Sequence, residues 1–282
     1  MSLTAKERLF DARAVAMQLV TARQGAVPLA AFPGPVPPDL DAAYRCQDEA
    51  IALWPDRVAG WKVGRVPEPF ASRYGQNRLV GPIFSRSVQH PIDGQDTTMP
   101  VFAGGFAAVE AEYVFRLALD APAQQLEWSP DQAAALVASL HVGIEFAGSP
   151  LAIINELGAA VIVSDFGNNA GLLVGPAIGN WHQQEWSALR CECNIDGVPV
   201  GSGGAMTIAG GPLAGLCFAL GCNASRKRPL RAGDWITTGA ATGVHSIHCG
   251  QRAAIHFNNG GHVVSLAVVA RAGAASHAGR PP

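Results

Sequence analysis

The 282-residue chain is 49% hydrophobic and only 15% charged. That composition excludes a disordered chain and can bury a sizeable core, in one large domain or a main domain with a smaller partner. A formal net charge of -2 leaves no basic excess for phosphates, so no nucleic-acid partner is expected. No apolar run is long enough to span a bilayer and no basic amphipathic stretch is present, so no membrane partner is expected either. Lys6, Glu7 and Arg8 stand where a signal region would be apolar, and a cytoplasmic protein is expected. The low charge also predicts a homo-oligomer. The cysteines form no CxxC pair: one residue separates Cys191 from Cys193 and four separate Cys217 from Cys222, while Cys46 and Cys249 stand alone. Free, mostly buried thiols are expected rather than disulfides or zinc.

The first ~60 residues read as helical. Thr4 and Glu7 have the spacing of a capping box, Phe10, Met17 and Val20 fall near one face, and Gly25 supplies a stop. A proline-rich link, Phe32 to Pro38, leads to a second helix starting near Asp39. There Leu40, Tyr44, Gln47, Ile51 and Trp54 recur at spacings of four and three. Beyond Gly60, strands are predicted at Trp61–Val63, Ala108–Leu119, Val142–Phe146, Ala159–Val163, Leu172–Val174, Ala188–Ile195, Trp235–Thr238, Ala253–Phe257 and Val263–Val269. A helix opens at Ser129-Pro130-Asp131-Gln132 and runs to about Leu140. Another covers about Pro212 to Leu220 and stops at Gly221. The plan is α+β: a helical N-terminal subdomain (1–60), a strand-dominated body (61–271) and a small, polar tail (272–282) expected to fray. No GxGxxG turn after a strand, Walker loop or GxSxG elbow is present, which argues against nucleotide cofactors and α/β-hydrolase chemistry.

Val109-Glu110-Ala111-Glu112-Tyr113 carries the sharpest chemical signal. On a strand, Glu110 and Glu112 share a face. Two carboxylates in apolar surroundings repel and lose hydration, and a hard divalent cation relieves both effects. The pair alone is equally readable as an edge strand with a wet acidic face. Glu145, the single charge in the apolar run His141–Phe146, adds a third carboxylate that needs a cationic partner. Lys62 is the one cation in Gly60-Trp61-Lys62-Val63-Gly64, where it can anchor a carboxylate, donate a proton, or simply snorkel. Two small-residue loops, Asp165–Gly171 and Thr237–Gly243, are pocket walls or plain turns.

The order of these pieces resembles the 2-keto-4-pentenoate hydratase and 4-oxalocrotonate decarboxylase family of the fumarylacetoacetate hydrolase superfamily. The resemblance runs from about Tyr44 to Val269, with GWKVG and the ExE strand as its most specific parts. It implies a mixed β-roll or barrel catalytic body behind the small helical N-terminal part. It implies Mg²⁺ or Mn²⁺ on Glu110, Glu112 and Glu145, and Lys62 as the active-site lysine. The substrate loop falls on Asp165 to Asn169, with Asn168 and Asn169 where serines are common, and Thr242 lies in the turn between Gly239 and Gly243. Three positions depart from the family pattern. Arg86 and Gly148 stand where acids are common, and Ala240 where serine is common. Arg86 could meet a second carboxylate or turn to solvent. The implied substrate is a small 2-oxo acid or its dienol, and the implied reaction is hydration of a 2-hydroxy-2,4-dienoate. Decarboxylation of a 2-oxo acid, acylpyruvate hydrolysis, and a non-catalytic partner that binds metal and 2-oxo acid or only supports an oligomer are the alternatives.

Overall fold

The computed structural model describes residues 10–92 and 94–273. The Thr4–Glu7 box and the chain beyond residue 273 lie outside that range. Helix α1 (Ala12–Gly25) starts at Asp11, whose carboxylate accepts from the Ala14 N–H at 3.0 Å. Its buried face is Val15, Ala16, Leu19, Val20 and Arg23, while Met17 is half exposed. The face that packs on α2 therefore differs from the predicted stripe. Helix α2 (Leu40–Leu53) is capped by Asp39, which accepts from the Ala42 N–H at 2.7 Å. It buries Leu40, Tyr44 and Gln47.

The remaining elements follow in chain order. They are β1 (Val58–Arg65), α3 (Phe70–Tyr74), β2 (Arg78–Phe84), β3 (Val88–Gln89), β4 (Thr97–Val101), β5 (Phe106–Leu117), α4 (Pro130–Ala134) and β6 (Val137–Ser149). Then come α5 (Ile154–Leu157), α6 (Ala159–Ser164), β7 (Asn169–Ala177), β8 (Leu189–Ile195), β9 (Val198–Gly204) and α7 (Pro212–Ser225). Strands β10 (Trp235–Thr237), β11 (His245–Ser246), β12 (Arg252–Asn259) and β13 (His262–Ala272) complete the fold.

Three predicted elements are corrected. Ala159–Val163 is the helix α6, not a strand. A short apolar run fits either period, and here α6 packs against α2. The helix capped by Ser129 and Gln132 stops at Ala134, not near Leu140. From Val137 the chain pairs with β5 instead, and that long ladder overrides local helix preference. Helix α7 runs through Gly221 to Ser225. A Cβ at Gly221 would lie 2.2 Å from the Leu126 carbonyl oxygen, so this glycine serves close packing rather than termination.

One sheet has the order β2-β1-β10-β5-β6-β7-β3, with β11 also on β5, and curls into a half-barrel. The other has the order β4-β13-β12-β8-β9. Strand β5 divides their contents. Val109, Ala111, Tyr113 and Phe115 join the main core with Cys191, Cys193, Ile255 and Phe257. The alternate residues Glu110, Glu112 and Val114 turn to the opposite face, as a period of two requires. Val114 packs there with Ile83, Leu172, Val174 and Trp235 in a separate apolar cluster. The sheet thus carries carboxylates beside an apolar floor. Among the described residues no helix is long and apolar enough to cross a membrane.

Candidate active site

Glu110 and Glu145 are directly opposed across the β5–β6 ladder, and Glu112 follows two residues along β5. Glu112 and Glu145 are fully buried and Glu110 is 5% exposed. One ligand atom from each of the three lies within 4.8 Å of the others. Thr238 and Gly239 donate their N–H groups to Glu112 Oε2 at 3.0 and 2.8 Å. Glu112 Oε1 is buried and has no hydrogen-bond partner among the described residues. A buried carboxylate oxygen with nothing to bind is costly unless a cation completes it. An all-oxygen donor set suits a hard divalent ion such as Mg²⁺, Mn²⁺ or Ca²⁺. The residues therefore fit a divalent metal.

Lys62, 3% exposed on β1, reaches the same cluster. Its Nζ is 3.1 Å from Glu145 Oε1 and donates to Asn168 Oδ1 at 3.0 Å. Asn169 Nδ2 donates to Glu145 Oε1 at 3.2 Å, and Thr237 Oγ1 donates to Glu145 Oε2 at 3.2 Å. Burial alone pulls the Lys62 pKa down. Glu145, Glu110 and Glu112 together outweigh it, so the net shift is upward and Lys62 stays charged. Burial pushes Glu110 up to about 7, with Lys62 opposing and Glu145 adding. Glu112 is raised well above the usual carboxylate range, by burial first and then by Glu145 and Glu110. Both directions are those of carboxylates crowded together in a dry site.

The other candidates separate. Asn168 and Asn169 touch the cluster through Lys62 and Glu145. Asp165 does not: it is 1% exposed and bonded to Arg23 and Ser149, which leaves no oxygen for substrate. Thr242 is half-buried and meets His245, its Oγ1 lying 3.1 Å from Nε2. Arg86 is exposed, and among the described residues its one hydrogen bond is made by its backbone N–H, which donates to Asp56 at 2.8 Å. Its side chain sits on a narrow cleft of about 30 Å³ that also touches Trp54, Phe102 and Asn169. Through Asn169 that cleft adjoins the carboxylates. The cleft of about 520 Å³ between α2 and α7 contains none of these residues. Polarity and burial, not cavity size, locate this site. Arg23 and Ser149 are invisible to sequence reasoning: Arg23 falls on the buried face of α1, but nothing near it in sequence names its partner, and Ser149 stands in no motif.

No protein-family model and no curated protein matches the sequence. Among solved structures, 4-oxalocrotonate decarboxylase from Pseudomonas putida G7 matches at 16% identity, covering 95% of this chain and 99% of that one. The TM-score is 0.73 for its complex with magnesium and adipate and 0.71 for that with calcium and acetate. Fumarylpyruvate hydrolase from Pseudomonas aeruginosa, in complex with Mn²⁺ and pyruvate, matches with TM-score 0.52 at 16% identity, covering 77% and 91% of the two chains. These likenesses show the fold.

Proposed function

We propose that this chain, which has the fold of the fumarylacetoacetate hydrolase enzymes, is a divalent-metal-dependent enzyme acting on a small 2-oxo acid or its dienol. One observation carries the reading: three buried carboxylates converge beside a buried lysine, and one carboxylate oxygen has no partner among the described residues. Glu110, Glu112 and Glu145 would hold Mg²⁺ or Mn²⁺. A cation bound there would serve as a Lewis acid toward the oxygens of a 2-oxo acid.

The chain's own residues supply the rest. Thr238 and Gly239 N–H groups fix the Glu112 carboxylate, and Thr237 and Asn169 fix Glu145. Lys62, charged and dry, can orient a substrate carboxylate or deliver a proton from Nζ. The apolar cluster of Ile83, Val114, Leu172, Val174 and Trp235 keeps water from the floor beneath.

Hydration of a 2-hydroxy-2,4-dienoate is the first reading, from the order of GWKVG, ExE and the Asn-rich loop along the chain. Decarboxylation of an oxalocrotonate-type 2-oxo acid is the second. It is favoured by the likeness to a decarboxylase over 95% of this chain, against 77% for the hydrolase. The test incubates the protein with 2-hydroxypenta-2,4-dienoate, and separately with an oxalocrotonate-type dicarboxylate, under Mg²⁺ or Mn²⁺ with and without chelator. A hydrated product supports the first reading and CO₂ loss the second. Metal-independent turnover, or none with either compound, removes the proposal. Arg86, at the cleft, would favour the dicarboxylate. Arg86→Ala should then weaken that substrate selectively, and equal loss for both substrates gives Arg86 no recognition role.

A further inference from the structure

The turn between α6 and β7 has a backbone that must be held in place. Phe166, Gly167 and Asn168 stand in succession at φ of 56°, 62° and 56°. The left-handed region is natural for glycine but unfavourable for phenylalanine, and tolerable at most for asparagine. This run places Asn168 on Lys62 and Asn169 on Glu145. Without it the two amides lose their aim.

The restraint comes from a distant part of the chain. Arg23, in the last turn of α1, is 4% exposed. Its Nε donates to Asp165 Oδ1. Its Nη1 donates to the Asn169 carbonyl at 2.9 Å, and its Nη2 to the carbonyls of Gly148 and Asp165 at 2.9 and 3.0 Å. The other Asp165 oxygen accepts from Ser149 Oγ at 2.6 Å. The rings of Phe166 and Phe102 flank the guanidinium at 5.1 and 5.5 Å. One planar fork thus bonds the residue before the left-handed run and the residue after it, and ties both to the end of β6, the Glu145 strand. A lysine could make one of these contacts but not the fork.

We propose that Arg23 is a positioning residue for the candidate active site: it holds residues 165–169 in the conformation in which Asn168 and Asn169 grip Lys62 and Glu145. The proposal rests on the reading of that site given above. It makes the N-terminal helix part of the site's support rather than an appendage.

The test compares Arg23→Lys and the charge-neutral pair Arg23→Met with Asp165→Asn against Val20→Ala. Val20 is buried on the same helix, and its apolar side chain makes none of the hydrogen bonds through which Arg23 holds residues 165–169. Two quantities are read on folded protein: amide exchange of the peptide spanning residues 165–171, and Mn²⁺ affinity by calorimetry. Both Arg23 variants should exchange that peptide about tenfold faster or more and bind Mn²⁺ about 10- to 100-fold more weakly, the usual effect of losing outer support of a metal site. Val20→Ala should lower the thermal midpoint while leaving both quantities at native values. Native exchange of the peptide in either Arg23 variant, or equal loosening in Val20→Ala, overturns the proposal. If the native protein takes up no Mn²⁺, the metal reading fails, and the exchange comparison alone decides the role of Arg23.

Discussion

Glu112 lies beside two other carboxylates, with one oxygen bonded to two N–H groups and the other to none of the described residues. Glu112→Gln keeps an acceptor for both N–H groups and removes a buried like charge. At pH values where Glu112 is ionised, the metal-free variant is expected to melt higher, by about 2 °C for each kcal/mol of repulsion relieved in a chain of this size. It should also lose the rise in midpoint that Mg²⁺ or Mn²⁺ gives the native protein by binding the folded state. A native response to Mn²⁺ would remove Glu112 from the ligand set. The pH dependence follows from the same crowding. Glu110 at about 7 and Glu112, higher than its ordinary value of 4.5, bind protons when folded that the unfolded chain has released. The Glu110 contribution to stability is therefore full below pH 4.5 and is lost as pH rises through about 7, and the Glu112 contribution is lost in the same direction as that carboxyl ionises. Melts in chelator should fall across that window, and Glu112→Gln should flatten the fall. Lys62 gives a third expectation, because its ammonium and a cation address the same Glu145 carboxylate. Lys62→Met should abolish turnover and tighten Mn²⁺ binding several-fold, since a nearby desolvated like charge opposes the cation. Undiminished turnover would take Lys62 out of the mechanism.

At the level of elements, the contact between β2 and the α6–β7 turn sets where Asn168 sits. A Cβ at Gly81 would lie 2.1 Å from the Phe166 carbonyl oxygen. Gly81→Ala must therefore push β2 and the turn apart, at about 1–3 kcal/mol by the usual cost of overpacking. It should weaken Mn²⁺ binding as well. Gly179→Ala, where a Cβ meets nothing within 4 Å, should stay within about 0.5 kcal/mol. Denaturant midpoints that match for the two variants would show that β2 gives way freely. The same elements show what the sequence made legible. Strand β5 was readable because its apolar and acidic positions alternate, and α2 because Asp39 precedes a regular apolar stripe. Strands β2 and β9 were not, since Gly81-Pro82 and the glycines of Val198–Gly204 break any alternation and their pairing is decided by neighbours. Helix α6 and the start of β6 were misread because tertiary packing, not local preference, chose between periods. Three carboxylates could be gathered from the sequence by period and apolar context. Arg23 could not, because its hydrogen-bond partners lie 125 or more residues away.

For the whole molecule, the open edge of the second sheet bears on assembly. Strand β9 pairs with β8 on one side only and closes that sheet's order. Val198 and Val200 on it are 61% and 40% exposed, and Met206, just beyond its end, is 66% exposed. Val244, 53% exposed, adjoins them, because Gly201 of β9 lies against Thr242 and His245. An unpaired edge beside apolar side chains invites pairing with another chain unless something covers it. We propose that a second copy of this chain covers it, which agrees with the low charge of the sequence. A stable assembly needs roughly 1,000 Å² or more of buried surface, so charges placed at the edge should be disruptive. Val198→Lys with Val200→Glu is expected to convert an oligomer to monomer in light scattering at micromolar concentration. The loop carrying Val244 continues from Gly239, whose N–H holds Glu112, so dissociation should also loosen Mn²⁺ binding. A native protein that is monomeric at that concentration would end this proposal. An oligomer that survives both charges would place the interface elsewhere on the surface.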